Sequence, residues 1–101
     1  MTQHVIEAVT FKLLPTVSDA EFLKAAETAS TFLKSCEGFV RRQMSKGDDG
    51  VWLDHVEWRS LSTAKAASES FFNHAPLMPF MQAIDMASVT MSHNILHMAA
   101  E

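Results

Sequence analysis

The chain has 101 residues, 48% of them hydrophobic and 20% charged, with a formal net charge of −4 and a pI near 5.7. This length builds one domain over residues 1–101, and a domain so small buries only ~60% of the surface its unfolded chain exposes, leaving apolar surface for a partner subunit. The acidic balance excludes nucleic acid as a partner, because phosphate neutralisation needs clustered Lys and Arg and only Arg41 and Arg42 stand together.

The opening "MTQHVIEAV" has no basic n-region and no long apolar stretch. No run approaches the roughly 18 apolar residues of a membrane span, so the expectation is a cytoplasmic protein with no membrane partner. The one cysteine, Cys36, allows neither an internal disulfide nor a cysteine-based metal site.

His4 to Leu13 alternates, with Val5, Glu7, Val9, Phe11 and Leu13 on one face and His4, Ile6, Ala8, Thr10 and Lys12 on the other, which predicts a strand. Pro15 ends it. The stretch "SDAE" from Ser18 to Glu21 is a capping box. The helix it opens keeps Phe22, Leu23, Ala26, Ala29, Phe32, Leu33 and Cys36 on one face, and Gly38 supplies a left-handed stop. Phe39 to Met44 and Val51 to Trp58 read as a hairpin joined by "SKGDDG", whose Gly47 and Gly50 permit positive φ. A second helix capped by Ser60 or Ser62 runs to about Asn73, with Leu61, Ala64, Ala67 or Ser68, and Phe71 on one face. In "HAPLMPFMQAI", Pro76 and Pro79 forbid one continuous helix and predict a compact flap. Ser88 to Met98 alternates again as the last strand.

The order β-α-β-β-α-β predicts an α+β, ferredoxin-like fold, a four-stranded antiparallel sheet with both helices on one face. Its other face mixes Ile6, Ala8, Leu53, Leu96 and Met98 with Thr10, His55, Glu57, Ser92 and Asn94. A semi-polar face of this kind predicts a second copy against it, a homodimer through the sheet under two-fold symmetry.

The stretch "FLKSCEGFVRRQMSKGDDGVWLDHVEWRSLSTAKAA", with its Gly-aromatic helix end, its hairpin and its acid-Trp-x-Ser close at Glu57 to Ser60, followed by a His and Pro flap, resembles the antibiotic biosynthesis monooxygenase-like members of the dimeric α+β barrel superfamily. The resemblance spans nearly the whole chain in order of elements. It implies a homodimer whose sheets face each other as a barrel, with a small-molecule pocket between sheet and helices in each subunit. It implies a cofactor-independent monooxygenase acting on an aromatic or phenolic molecule, needing no cofactor. It also admits a non-catalytic small-molecule-binding or stress-associated barrel, and haem degradation. In haem-degrading relatives an asparagine stands on the first strand, about where Glu7 stands here, and that departure counts against haem chemistry.

Candidate site residues follow from the residues themselves. In "WLDHVEWRS", Trp52, Asp54, Val56 and Trp58 share one strand face and Leu53, His55 and Glu57 the other. Trp58 reads both as a core anchor and, where the resemblance places its pocket, as lining. Glu7 lies among aliphatic residues, which makes it a candidate general base or half of a structural ion pair. His93, between Met91 and Ile95 in alternation, is a candidate base or a hydrogen-bonded core histidine. His74 opens the flap as a third candidate base, or else a solvated turn residue. Asp54 could orient a histidine. Trp52, Asp54, Trp58, Phe71, Met78 and Met81 are the expected pocket residues, the methionines being soft apolar groups suited to a flat ligand.

Metal is not expected. His93 and His97, four apart on a strand, stand ~13 Å apart and cannot share an ion. Cys36 in the last helical turn meets the negative end of the helix dipole, which opposes a reactive thiolate. No Gly-rich phosphate loop follows a strand.

Overall fold

The computed structural model of the chain describes residues 3–101. The first strand, β1 (Val5–Leu13), leads into helix α1 (Asp19–Ser35). Ser18 caps it as the sequence predicts. Its side chain accepts from the Glu21 backbone N–H while the Glu21 carboxylate accepts from the Ser18 backbone N–H, so two orphan amides are satisfied. Phe22, Ala26, Ala29 and Leu33 make the buried stripe of α1; Leu23, expected on it, is 45% exposed. The helix ends at Ser35 with Cys36 as its extended cap, and beyond it Gly38 takes a left-handed φ of +84°, its missing side chain letting Thr63 approach its backbone.

The hairpin follows as β2 (Phe39–Lys46) and β3 (Trp52–Trp58). Only Gly50 of its two glycines takes a positive φ. Gly47 instead donates its N–H to the Val51 carbonyl, and Asp49 accepts from the Val51 N–H. Helix α2 (Leu61–Phe72) is capped by Ser60, which accepts from the Thr63 N–H, and it ends at Asn73. The flap is a 3-10 turn over Ala75–Leu77 running into a short helix, α3 (Met78–Gln82), and the last strand is β4 (Ile84–Ile95).

The last strand differs from expectation at both ends. It starts at Ile84 rather than Ser88 because a bulge hides the alternation. Between Thr10 and Lys12, β1 advances two residues while β4 passes from Thr90 to Asp85. The extra loop is tied down by side chains: Ser88 Oγ donates to the Asp85 carbonyl and accepts from the Lys12 N–H, and Asp85 accepts from the Ala87 N–H. The strand stops at Ile95 because β1 begins at Val5, its partner, and one last bond from Leu96 to the His4 carbonyl closes the ladder.

All pairings are antiparallel, in the order β2-β3-β1-β4. That is the ferredoxin-like arrangement predicted from sequence, with three helices rather than two counting the flap. The core on the helix side falls into two clusters. One gathers Phe11, Phe22, Ala26, Ala29, Trp52, Leu77 and Phe80, with Phe22 edge-on to Phe11 and Trp52 and stacked on Phe80. The other gathers Leu33, Val56, Trp58, Ala64 and Ala67. No helix among the described residues is long and apolar enough to cross a membrane.

The face away from the helices carries a polar network that alternation could not reveal. Glu57, only 6% exposed, is held by His4 Nδ1 at 2.6 Å and Arg41 Nε at 3.3 Å, and Arg41 also reaches Glu101. Beside these, Leu53 stays exposed and His55 Nδ1 is buried without a partner.

Candidate functional site

A cavity of about 120 Å³ lies between the two core clusters. Glu7, Val9 and Phe11 of β1, Asp54, Val56 and Trp58 of β3, and Ala67, Ser68 and Phe71 of α2 form three of its walls. The remainder comes from Leu33 of α1, Arg42 of β2, Phe72 of α2, Phe80 and Met81 of α3, and Ile84, Met86, Val89 and Met91 of β4. Exposed Phe72, Met86 and Met91 put its apolar rim at the surface. β1 and β3 contribute every second residue, as one sheet face must, and the bulge in β4 shifts that pattern between Met86 and Val89.

Glu7 is the polar centre of this wall, 7% exposed. Trp58 donates its indole Nε1–H to Oε1 at 3.1 Å, and Ser68 donates its hydroxyl to Oε2 at 3.2 Å. On the other side β4 sets His93 opposite Glu7 in the ladder, with Nε2 3.5 Å from Oε2. That nitrogen is buried and has no hydrogen-bond partner. At 3.5 Å the pair is within electrostatic reach, while Trp58 and Ser68 hold the carboxylate by real hydrogen bonds.

The second polar element is an ion pair. Arg42 of β2 grips Asp54 bidentately, Nε to Oδ1 at 2.9 Å and Nη2 to Oδ2 at 2.6 Å. Its Nη1 donates to the Ala26 carbonyl and the Ser30 hydroxyl, and its plane lies 5.4 Å over the Phe80 ring. Asp54 thus orients an arginine, not the histidine expected from sequence. The bidentate fork fixes both side chains and locks α1 to the hairpin.

The expected residues divide clearly. Glu7, Asp54, Trp58, Phe71 and Met81 lie on the cavity, with His93 directly behind Glu7. Trp58 is both core and wall, being fully buried. Trp52 packs instead in the cluster around Phe22, and Met78 is 45% exposed on the outside of the flap. His74 is exposed, with its ring tilted against Phe32 at 4.9 Å; the flap turns it away from the cavity walls. His97 lies beyond the end of β4. Among the described residues no group of three or more His, Cys, Asp or Glu could hold a metal ion.

Arg42 and Ser68 were missing from the sequence expectation. Strict alternation from Phe39 would turn Arg41 to the helix face, and it is a register shift between Phe39 and Arg41 that brings Arg42 there instead. Ser68 shared the buried stripe of α2 with Ala67 but gave no sign of its partner.

No family model matches the chain, and no curated protein matches its sequence. Among solved structures it is similar to SnoaB, a cofactor-independent oxygenase from Streptomyces nogalater, with 18% identity over 98% of this chain and 96% of that one and a TM-score of 0.66. It is also similar to a monooxygenase from the gene ActVA-Orf6 of Streptomyces coelicolor in complex with nanaomycin D, at 16% identity, 99% and 93% coverage and a TM-score of 0.69. A dimeric ferredoxin-like protein from an uncultured marine organism matches at 12% identity, 98% and 92% coverage and a TM-score of 0.65. At these identities the likeness is one of fold: the chain has the ferredoxin-like architecture shared by antibiotic biosynthesis monooxygenase-type proteins.

Proposed function

We propose that this chain is a cofactor-independent monooxygenase-like protein that binds a small aromatic or phenolic molecule in the cavity beneath its sheet. The observation that carries this reading is Glu7, a nearly buried carboxylate on the wall of an otherwise largely apolar cavity, with a partnerless buried histidine nitrogen 3.5 Å away. A base in a dry site is what such chemistry requires. Glu7 takes the proton of a bound phenol, with His93 as a relay. The electron-rich anion gives an electron to dioxygen and the two radicals join at a ring carbon bearing hydrogen in its keto form. Loss of water then leaves one oxygen atom on that carbon, now a carbonyl, and the other in the water. The electrons come from the ring, so no external reductant enters.

The protein acts as a homodimer through the exposed sheet face. Support comes from that face itself, where Leu53 stands exposed, and from the fold shared with a dimeric neighbour. A monomeric mass by light scattering at micromolar concentration would contradict it.

A binding-only reading has its own observation. Trp58 and Ser68 already engage Glu7, as in a structural network. Oxygen uptake by the purified protein over a panel of one-ring phenols, quinols and catechols separates the two, since the enzyme reading expects uptake above the uncatalysed rate and the binding reading expects ligand retention without it.

A further inference from the structure

We infer that the cavity selects a neutral, one-ring molecule whose hydroxyl donates to Glu7, and that it rejects carboxylates and multi-ring ligands. This rests on reading the cavity as a ligand site. Volume, charge and hydrogen-bonding capacity bear on it separately.

The cavity holds about 120 Å³. A dry apolar cavity of roughly 150 Å³ takes one benzene. The space here therefore admits one six-membered ring, with any substituent directed to the rim at Phe72, Met86 and Met91. The walls that would meet the ring are Val9, Val56, Phe71 and Phe80, flat or branched apolar groups that suit an aromatic face.

Three charged side chains lie on the wall: Glu7, Arg42 and Asp54. Arg42 is neutralised by Asp54, and four of its five N–H groups are already spoken for by Asp54, Ala26 and Ser30. What remains is Glu7, which only His93 stands close enough to balance. The wall is thus neutral at most and never positive. A ligand carboxylate would enter a low-dielectric site facing another carboxylate with no free cation to receive it.

Glu7 decides what the ligand must offer. An ionised carboxylate only accepts, and one bond from Trp58 and one from Ser68 leave lone pairs on both oxygens. The ligand must therefore donate. A hydroxyl meets that condition, because it donates to the carboxylate, while His93, its Nε2 buried and unpartnered, stays behind Glu7 and off the cavity lining.

The test is calorimetric titration of the full chain with 4-methylphenol, benzoate and 1-hydroxyanthracene, repeated with Glu7→Gln and with Met81→Trp, which fills the cavity from its partly exposed flap wall. The inference expects 4-methylphenol to bind at least tenfold more tightly than either of the others, and that binding to fall at least tenfold in both variants. Benzoate or the tricycle binding as tightly as 4-methylphenol would overturn the ligand class while leaving the cavity as a ligand site. Undiminished binding of 4-methylphenol in Met81→Trp, or no binding by any of the three, would overturn the ligand-site reading as well. The wild-type comparison decides the class even if a variant does not fold.

Discussion

Trp58 and Glu7 stand diagonally across the β1–β3 ladder, and the indole Nε1–H donates to the carboxylate at 3.1 Å with the tryptophan fully buried. An indole N–H can only donate. Oε1 is therefore an acceptor whatever else the carboxylate does, and the ring that anchors α2 also aims the candidate base. Core packing and site geometry share one side chain.

Trp58→Phe keeps most of the ring but removes the donor, leaving a buried carboxylate oxygen short of a partner. The expected cost is ~1–3 kcal/mol, read from urea unfolding. In a double-mutant cycle with Glu7→Leu the two losses should not add; strict additivity would mean that the bond contributes nothing.

Arg42 and Asp54 test a different balance. Their side chains are 7% and 11% exposed, so Asp54→Asn leaves a nearly buried guanidinium with reduced compensation and should destabilise by about 3–5 kcal/mol. Replacing both, as Arg42→Met with Asp54→Leu, should recover most of that loss, because two apolar groups carry no desolvation penalty. The comparison of urea midpoints for the single and double variants checks it.

Gly38 is the strictest backbone position. Its φ is +84°, and a Cβ there would meet the Thr63 Cβ at 2.6 Å. Gly38→Ala thus combines left-handed strain with a clash at the junction of α1, β2 and α2, for an expected loss of ~1–3 kcal/mol. Gly50→Ala, equally left-handed but with open space around it, should cost less. Thermal melts of the two variants compare the terms directly.

Much of this fold is legible because its signals are local. The capping box at Ser18 and Glu21, the stop at Gly38, the Ser60 cap and the period-two alternation of β1 and β3 each act within a few residues. What one chain could not give was register. Nothing in the sequence says that His93 faces Glu7, since the partners come from opposite ends of the chain and their meeting depends on where the β4 bulge falls. That bulge also broke the alternation from Ile84 to Ser88 that would have marked the strand start. Pocket residues fared the same way. Alternation put Trp52 and Trp58 on one face, yet the Phe22 cluster fills the space beside Trp52 and only Trp58 reaches the cavity. The Arg42–Asp54 pair was hidden for the same reason, because a register shift between Phe39 and Arg41 decides which of the two arginines faces the helices.

Cys36 gives a prediction in pH. Burial pushes its thiol pKa up, only partly offset by a hydrogen bond with the Ser35 side chain, and its Sγ–H donates to the Phe32 carbonyl at 3.5 Å. A raised thiol pKa means less thiolate at neutral pH, so iodoacetamide should modify the native protein more slowly than the urea-unfolded chain, with the gap narrowing as pH rises. Equal rates at pH 7 would contradict it.

The central claim is that Glu7 is the base of an oxygen-dependent reaction in this cavity. It is tested most directly by the oxygen-uptake rate of metal-free protein at saturating phenolic substrate, for wild type and Glu7→Gln, with ligand binding measured on the same samples. General base catalysis of this kind is worth on the order of 10²–10⁴-fold, so the account predicts at least a hundredfold drop in Glu7→Gln with His93→Ala falling less. Uptake that survives in Glu7→Gln, or none in the wild type while ligand still binds, would contradict it.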